Sequence, residues 1–533
     1  MKDALLLTNG VFHTMDPRAP RAACVAVRHG RLAHVGRETD ARAALTGADD
    51  VQEVDLGGRC VLPGLTDSHL HFLWYAQSLH GVEAETATVE EALKRVASRA
   101  RNAVPGEWIT GSGWNHNAWA GGSFPDRRSL DQAAPRNPVV LEAKNGHALW
   151  VNSLALEKAG IALDTADPPG GKIVHDGDGM PSGVLLDNAM RLVQAAVPRP
   201  LPGELARLML RAQEEAHRFG LTGIHDFDRS LAFEAFQEMR SAGELSLRVV
   251  KGIPHEALDH AIAMGLRSGF GDDFLRLGPV KMFADGALGS QTAWMMAPYE
   301  GTWSTGIPTM TEEELFNDIL RANTAGLSCA VHAIGDAACH VVLNAFERAA
   351  GSLQGHGRAA LRNRVEHAQL LHPDDISRFA RLSVIASMQP LHATSDMLMA
   401  QRLWGARCKT AYAWSSLQNA GARLAFGSDC PVEVPDPLTG IHAAVTRRSA
   451  DGSPGSEGWH PAERLSVEQA VHGYTMGAAY AAGLEGVLGS TTRGKLADLT
   501  VLEKDIFTIA PHDIPAASVC ATIVGGRFVY RAF

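Results

Sequence analysis

Two histidines one residue apart, His69 and His71, close the apolar run 61–72, which reads VLPGLTDSHLHF. Side chains on a β-strand alternate faces, so Asp67, His69 and His71 project to one side if this run is a strand. Two imidazoles above a carboxylate are the start of a metal site, although His-x-His alone is a weak signal. Four more ionisable residues stand inside apolar, strand-like surroundings: Lys281 in GPVKMFADG, His332 in AVHAIGD, His367 in RVEHAQ and Asp429 in FGSDCP. Each has an ordinary explanation: a core histidine bonded to a carbonyl, a lysine reaching out of a sheet, an aspartate capping a helix. Taken together they bring several charges into one layer, where unpaired charge is costly. A bound metal removes that cost for all of them at once.

Positioning such a layer requires strands that end at a common level. The middle of the chain alternates strand-like and helix-like runs, with strand candidates at 61–71, 221–227, 245–253, 277–284, 328–334, 364–370, 383–388 and 423–428. Helical patterns lie between most of them, for example at 205–218 and 312–325. Eight β/α units predict an α/β fold, a (β/α)8 TIM-like barrel, with chemistry at the carboxyl ends of its strands. A long insertion, 83–200, separates the first two candidates; it holds a helix-like stretch at 89–103, strand-like stretches at 107–112 and 138–143, and a loop-rich stretch at 168–181. An insertion there is expected to form a pocket wall or lid. Short β segments at 4–8, 24–28, 31–36 and 51–55 match others at 494–502 and 521–530. The expected domains are therefore a small composite β-sandwich from 1–59 and 484–533, and a barrel over 60–483.

Composition narrows the function classes. The chain has 533 residues, enough for more than one domain. Its formal net charge is -10, with no basic run, which argues against nucleic acid or a polybasic membrane contact. No apolar run has the length of a membrane span or a signal-peptide core, so the expected setting is cytoplasmic. Seven scattered cysteines, Cys24, Cys60, Cys329, Cys339, Cys408, Cys430 and Cys520, form no Cys-x-x-Cys pair. Free buried thiols are expected rather than a disulfide framework.

His-x-His on the first strand, Lys on the fourth, His on the fifth and sixth and Asp on the eighth is an order that resembles the amidohydrolase superfamily. The wording HAIGD, VEHA, MQP, GSD and GKLADL is similar to its amidohydrolase 3 branch, which includes N-substituted formamide deformylases. That resemblance spans nearly the whole chain. It implies one metal held by His69, His71 and Asp429 and another by His332 and His367. Lys281 can ligate only if neutral or modified, since an ammonium has no lone pair. The resemblance implies a carbamate on Lys281 bridging two divalent ions, zinc foremost, with Mn2+, Fe2+ or Co2+ admissible.

The implied reaction is hydrolysis of a C–N, amide-type bond in a small molecule by metal-activated hydroxide, with Asp429 as general base and then acid. Trp114, His147, Asp285, Gln389 and His392 are the expected substrate contacts. Asp67, deeper than the histidines, is expected to orient His69 or brace the barrel floor. Two alternatives compete: a mononuclear deaminase of the same superfamily, which lacks the strand-four lysine ligand, and a non-catalytic barrel binding protein. A homo-oligomer remains compatible with the sequence.

Overall fold

The computed structural model describes residues 4–116, 119–144, 148–198, 201–353 and 361–533. It divides into two compact units, one made of the chain up to Phe72 together with Met209–Phe533, the other Leu73–Leu208.

The first unit contains an eight-stranded sheet whose neighbours follow chain order and pair in parallel throughout. Its strands are β1 (Leu65–Leu70), β2 (Leu221–Asp226), β3 (Arg248–Pro254), β4 (Leu275–Phe283), β5 (Cys329–Ala333), β6 (Arg364–His367), β7 (Ile385–Met388) and β8 (Arg423–Phe426). All eight expected barrel strands are present. Helices such as Ser230–Ser241, Glu312–Ala325, Asp336–Ser352 and Pro390–Trp404 link successive strands. The helix after β4 starts on a reciprocal cap, with the Thr311 hydroxyl accepting the Glu314 N–H and the Glu314 carboxylate accepting the Thr311 N–H.

The seam between β8 and β1 is not a regular ladder. Beyond the ends of the paired strands, the Asp429 N–H donates to the His69 carbonyl (2.7 Å) and the His71 N–H donates to the Cys430 carbonyl (2.8 Å). Barrel closure is thus made by the residues expected to do chemistry. Gly427 permits the close approach, because a Cβ there would stand 2.5 Å from the His69 nitrogen.

The expected first strand, 61–71, is two strands. Cys60–Pro63 belongs to a different sheet, pairing antiparallel with Leu499–Leu502 and parallel with Val11–His13, and only Leu65–Leu70 enters the barrel. Pro63 lacks a ladder donor, and Gly64 packs so closely on the Thr222 side chain that a Cβ would meet its hydroxyl at 2.2 Å. The sheet therefore changes at Pro63-Gly64.

Chain ends build two further sheets in this unit. One has four strands, Arg31–Gly36, Cys24–Arg28, Ala4–Thr8 and Val51–Asp55; the other has six, including Cys60–Pro63, Leu499–Leu502, Val519–Val524 and Arg527–Arg531. Leu5, Leu7, Val25 and Val27 from the first sheet share a buried cluster with Val61, Leu499, Val501 and Ile523 from the second. That is a sandwich core. The expected strand 521–530 is a hairpin turning at Gly525-Gly526, both left-handed at φ 56° and 75°.

The second unit is a six-stranded mixed sheet in the order Gly171–His175, Pro181–Asp187, Ala148–Val151, Val139–Ala143, Ile109–Trp114 and Val82–Glu83. The stretch 168–181, expected as loop, carries one of these strands and begins the next. A turn in which the Asp176 carboxylate accepts the Asp178 and Met180 N–H groups reverses the chain between them. Helix Val89–Asn102 is capped by Thr88. Among the described residues no helix is long and apolar enough to cross a membrane.

Candidate metal centre

His69, His367 and Asp429 bring ligand atoms to within 4.8 Å of one another. Around them stand the other expected residues. The His71 Nε2 and His69 Nε2 are each 3.4 Å from Asp429 Oδ1, Lys281 Nζ is 3.5 Å from His69 Nε2, and the His332 and His367 rings lie 4.5 Å apart. The last residues of strand six and of the eighth strand's extension are aimed by unusual backbone. His367 and Asp429 are left-handed at φ 72° and 59°, a region that non-glycine residues seldom occupy and that functional sites often do.

Each imidazole has one nitrogen held by a protein partner. His69 Nδ1 donates to Glu366 Oε2 (2.5 Å), His367 Nδ1 donates to Gln389 Oε1 (2.9 Å), and His332 Nε2 donates to the Gly286 carbonyl (2.9 Å). His71 Nδ1 faces Asp228 Oδ1 at 3.4 Å. These partners fix the tautomers and leave His69 Nε2, His367 Nε2 and His332 Nδ1 as the lone-pair nitrogens. The donor set therefore fits a divalent metal: imidazoles with lone-pair nitrogens, a carboxylate and a lysine in one layer.

Electrostatics agree with that fit at His69 and His332 but not at His71, where burial works downward and hydrogen bonds to Asp228 and Asp429 outweigh it and raise the ring to about 9, a proton that a bound metal would have to displace. Burial, helped by the Lys281 charge, lowers His69 to about 4 and His332 to about 3, keeping both neutral. Burial likewise lowers Lys281 to about 8, which opens the neutral amine to modification at ordinary pH. Burial opposes charge on Asp429 too, but the surrounding His69, His71 and His367 hold its carboxyl well below the usual range.

Beneath this layer the barrel interior is polar. The guanidinium of Arg364, fully buried, bonds Glu366, the Ser68 carbonyl, Ser387 and His225. Arg364 thus neutralises Glu366, which orients His69. Asp67 accepts the backbone N–H of His69 (3.0 Å) and the N–H and hydroxyl of Ser428, tying β1 to the end of β8. It braces the backbone of His69, whereas Glu366 sets the ring. Glu366 sits in the quoted VEHA motif, and its signal was the acid–histidine pair itself. Asp228, two residues past β2, carries no comparable motif.

Three expected substrate contacts fare differently from Gln389 and His392, which do stand beside the ligand layer. Asp285 is buried with its oxygens engaged by the N–H groups of Trp294, Ile334 and Gly335, and its Oδ1 lies 3.5 Å from His332 Nε2, so it holds a loop against the ligand layer. Trp114 is fully buried in its own unit's core, edge-on to Trp150, and its indole N–H donates to the Leu141 carbonyl. It packs that core and offers no free polar group. His147 lies outside the described residues.

Comparison with known proteins places these features in a lineage. The chain is 37% identical to the Arabidopsis thaliana protein LONG AFTER FAR-RED 3 over 99% of its own length and 91% of that protein's. It is 33% identical to the putative amidohydrolase YtcJ of Bacillus subtilis over 98% of both chains. It is 28% identical to the N-substituted formamide deformylase of Arthrobacter pascens, covering 100% of this chain and 99% of that one. Among solved structures, an uncharacterized metal-dependent hydrolase from Pyrococcus furiosus superposes with a TM-score of 0.80 at 28% identity, covering 95% of this chain and 100% of that one. The model of the amidohydrolase family (Amidohydro_3) matches residues 52–530, from the sandwich through the whole barrel and back, and the chain belongs to that family.

Proposed function

We propose that this hydrolase cleaves a C–N, amide-type bond in a small molecule, with His69, His71, Lys281, His332, His367 and Asp429 holding a pair of divalent ions, zinc foremost. The observation that carries this is the tautomer pattern: one nitrogen of each of His69, His332 and His367 is fixed by a protein group, and the other is left as a lone pair. One ring nitrogen on a carbonyl is also ordinary for a core histidine; what distinguishes these three is that they gather, with the His367 ring 4.9 Å from His69 and 4.5 Å from His332. The N-substituted formamide deformylase among the relatives supports a C–N bond as the target.

Bound divalent ions would supply an acidified water and a polarised carbonyl. Asp429, held ionised by its histidine neighbours, accepts a proton at Oδ1 or Oδ2 and returns it to the leaving nitrogen. Glu366, with Arg364 behind it, keeps His69 in the tautomer that presents Nε2. Lys281 lies 5.0 Å from each of the Phe227 and Phe283 rings, a dry setting in which the neutral amine can add carbon dioxide and become an anionic carbamate.

Metal analysis together with a panel of amides tests the reading. The expected result is two metals per chain, loss of turnover on chelation, and recovery of the metal-free protein by Zn2+ only when bicarbonate is also present. One metal per chain with bicarbonate-independent recovery would remove the carbamate-bridged pair. Turnover unaffected by exhaustive chelation would remove the reading altogether.

A further inference from the structure

Three buried side chains next to the ligand layer carry polar atoms without a hydrogen-bond partner: Gln369 Oε1, Gln389 Nε2 and His392 Nε2. The residues are 3%, 1% and 7% exposed. An unpaired polar group buried to this degree costs free energy unless something else meets it. Gln369 follows β6, Gln389 follows β7, and His392 is in the first turn of helix Pro390–Trp404, so all three stand at the carboxyl end of the barrel.

Their hydrogen-bonding sense follows from their neighbours. Because His367 Nδ1 donates to Gln389 Oε1, the amide nitrogen of Gln389 is the free end, with two N–H donors. Gln369 Nε2 donates to His392 Nδ1 at 3.4 Å, which leaves Gln369 Oε1 as a free acceptor and puts the His392 proton on Nε2. That Nε2 is 4.0 Å from Asp429 Oδ2, beside the proton carrier but beyond hydrogen-bond reach. The His392 ring lies parallel to His367, centroids 6.0 Å apart, which places the set against the ligand layer.

Two donor groups and one acceptor match a secondary amide, which offers one carbonyl oxygen with two lone pairs and one N–H. We infer that Gln369 accepts the N–H of the scissile group while Gln389 and His392 donate to its carbonyl oxygen, so that the substrate is a secondary amide or carbamate and not an ester or tertiary amide. This rests on the hydrolase reading above and narrows it. An ester presents no N–H to Gln369, and a tertiary amide presents a carbon there.

The test uses matched sets on the zinc- and bicarbonate-loaded full chain: an N-hexyl amide, its N-methyl derivative and the hexyl ester, each in formyl, acetyl and ethoxycarbonyl series. Wild type is expected to favour the secondary amide over the N-methyl derivative by about 100-fold or more in kcat/KM, and to gain nothing from the more reactive ester. Gln369→Met should reduce amide turnover at least about tenfold more than ester turnover. Gln369→Glu, which keeps an acceptor, should restore part of the amide preference. His392→Asn should reduce amide and ester alike, since both carry the carbonyl. Equal use of ester and amide by wild type, or an amide-to-ester ratio that Gln369→Met leaves unmoved, overturns the inference while leaving the hydrolase reading intact. No turnover of any member overturns both. If Gln369→Met does not fold, the wild-type ratios alone decide.

Discussion

Among the described residues, two places in the first unit gather a buried histidine with acid or thiol groups closely enough to hold an ion. One is His69, His367 and Asp429 at the barrel mouth; the other is His13, Cys60 and Asp505 in the sandwich. In the sandwich every donor has its partner. His13 Nε2 is 2.8 Å from Asp505 Oδ1, its ring stacks on Phe507 at 3.6 Å, and the Arg21 guanidinium lies against the ring nitrogens. Burial pushes the Cys60 thiol far up, so no thiolate is on offer. A fixed positive charge stands where a cation would need to be. At the barrel mouth the protein engages one side of the His69, His332 and His367 rings and leaves the other, and the Lys281 amine is pulled down to about 8. Donor proximity is common to both; what separates chemistry from glue is the partner on the far side of each donor.

Asp429→Asn is the largest break of this contrast. Its kcat should fall by about a thousandfold or more, with most metal retained, because the proton carrier is lost. Asp505→Asn in the sandwich should leave kcat and metal content unchanged. Steady-state kinetics with metal quantitation on both variants checks the pair. If the two variants lost activity alike, the division between the regions would collapse. A smaller effect follows from Glu366→Gln, which removes the charged acceptor at His69 Nδ1. Metal affinity, measured by competition with a chelator, should weaken about 10- to 100-fold. Arg21→Gln should leave that affinity unchanged. Glu366→Gln also leaves Arg364 buried without its acid, so a lower melting temperature should accompany the weaker binding.

Much of this was legible before any coordinates. All eight barrel strands form where periodicity put them, and the six ionisable residues expected at their ends gather at one level, because a parallel barrel forces strand ends together. The failures have physical causes. The run 61–71 has unbroken strand character, and only Pro63-Gly64 marks the change of sheet. Trp114 and Asp285 have residue types that suit a pocket, but burial in one case and three backbone N–H donors in the other engage them within the fold. Gln369 escaped notice because a glutamine after a strand carries no signal until the atom facing it is known. The His13 cluster escaped for the converse reason: Cys60 and Asp505 are 47 and 492 residues from His13 along the chain, and the three meet only when the two chain ends fold together.

The smallest expected effect concerns that sandwich histidine. Burial lowers His13 to about 4; the Asp505 charge works against this and the Arg21 charge with it. In the unfolded chain the same imidazole titrates near ~6.5. Between these values the unfolded chain binds a proton that the folded chain does not, so His13 favours folding above pH ~6.5 and progressively less as pH falls toward 4. At pH 5 the loss amounts to about 1 to 2 kcal/mol. Other buried histidines titrate in the same direction, so the wild-type slope alone is not diagnostic. The measurement is the difference: denaturation of wild type and His13→Gln at pH 7.5 and pH 5, both metal-loaded. The variant should be the less stable protein at pH 7.5, and the gap should narrow by that amount at pH 5. A gap that stayed constant would mean that the fold leaves His13 near its unfolded value, and one that widened at pH 5 would mean that His13 is protonated in the fold, paired with Asp505 as an ion. In that last case the sandwich cluster would hold a charge of its own, and the contrast with His69, His332 and His367, which burial keeps neutral, would rest on Arg21 alone.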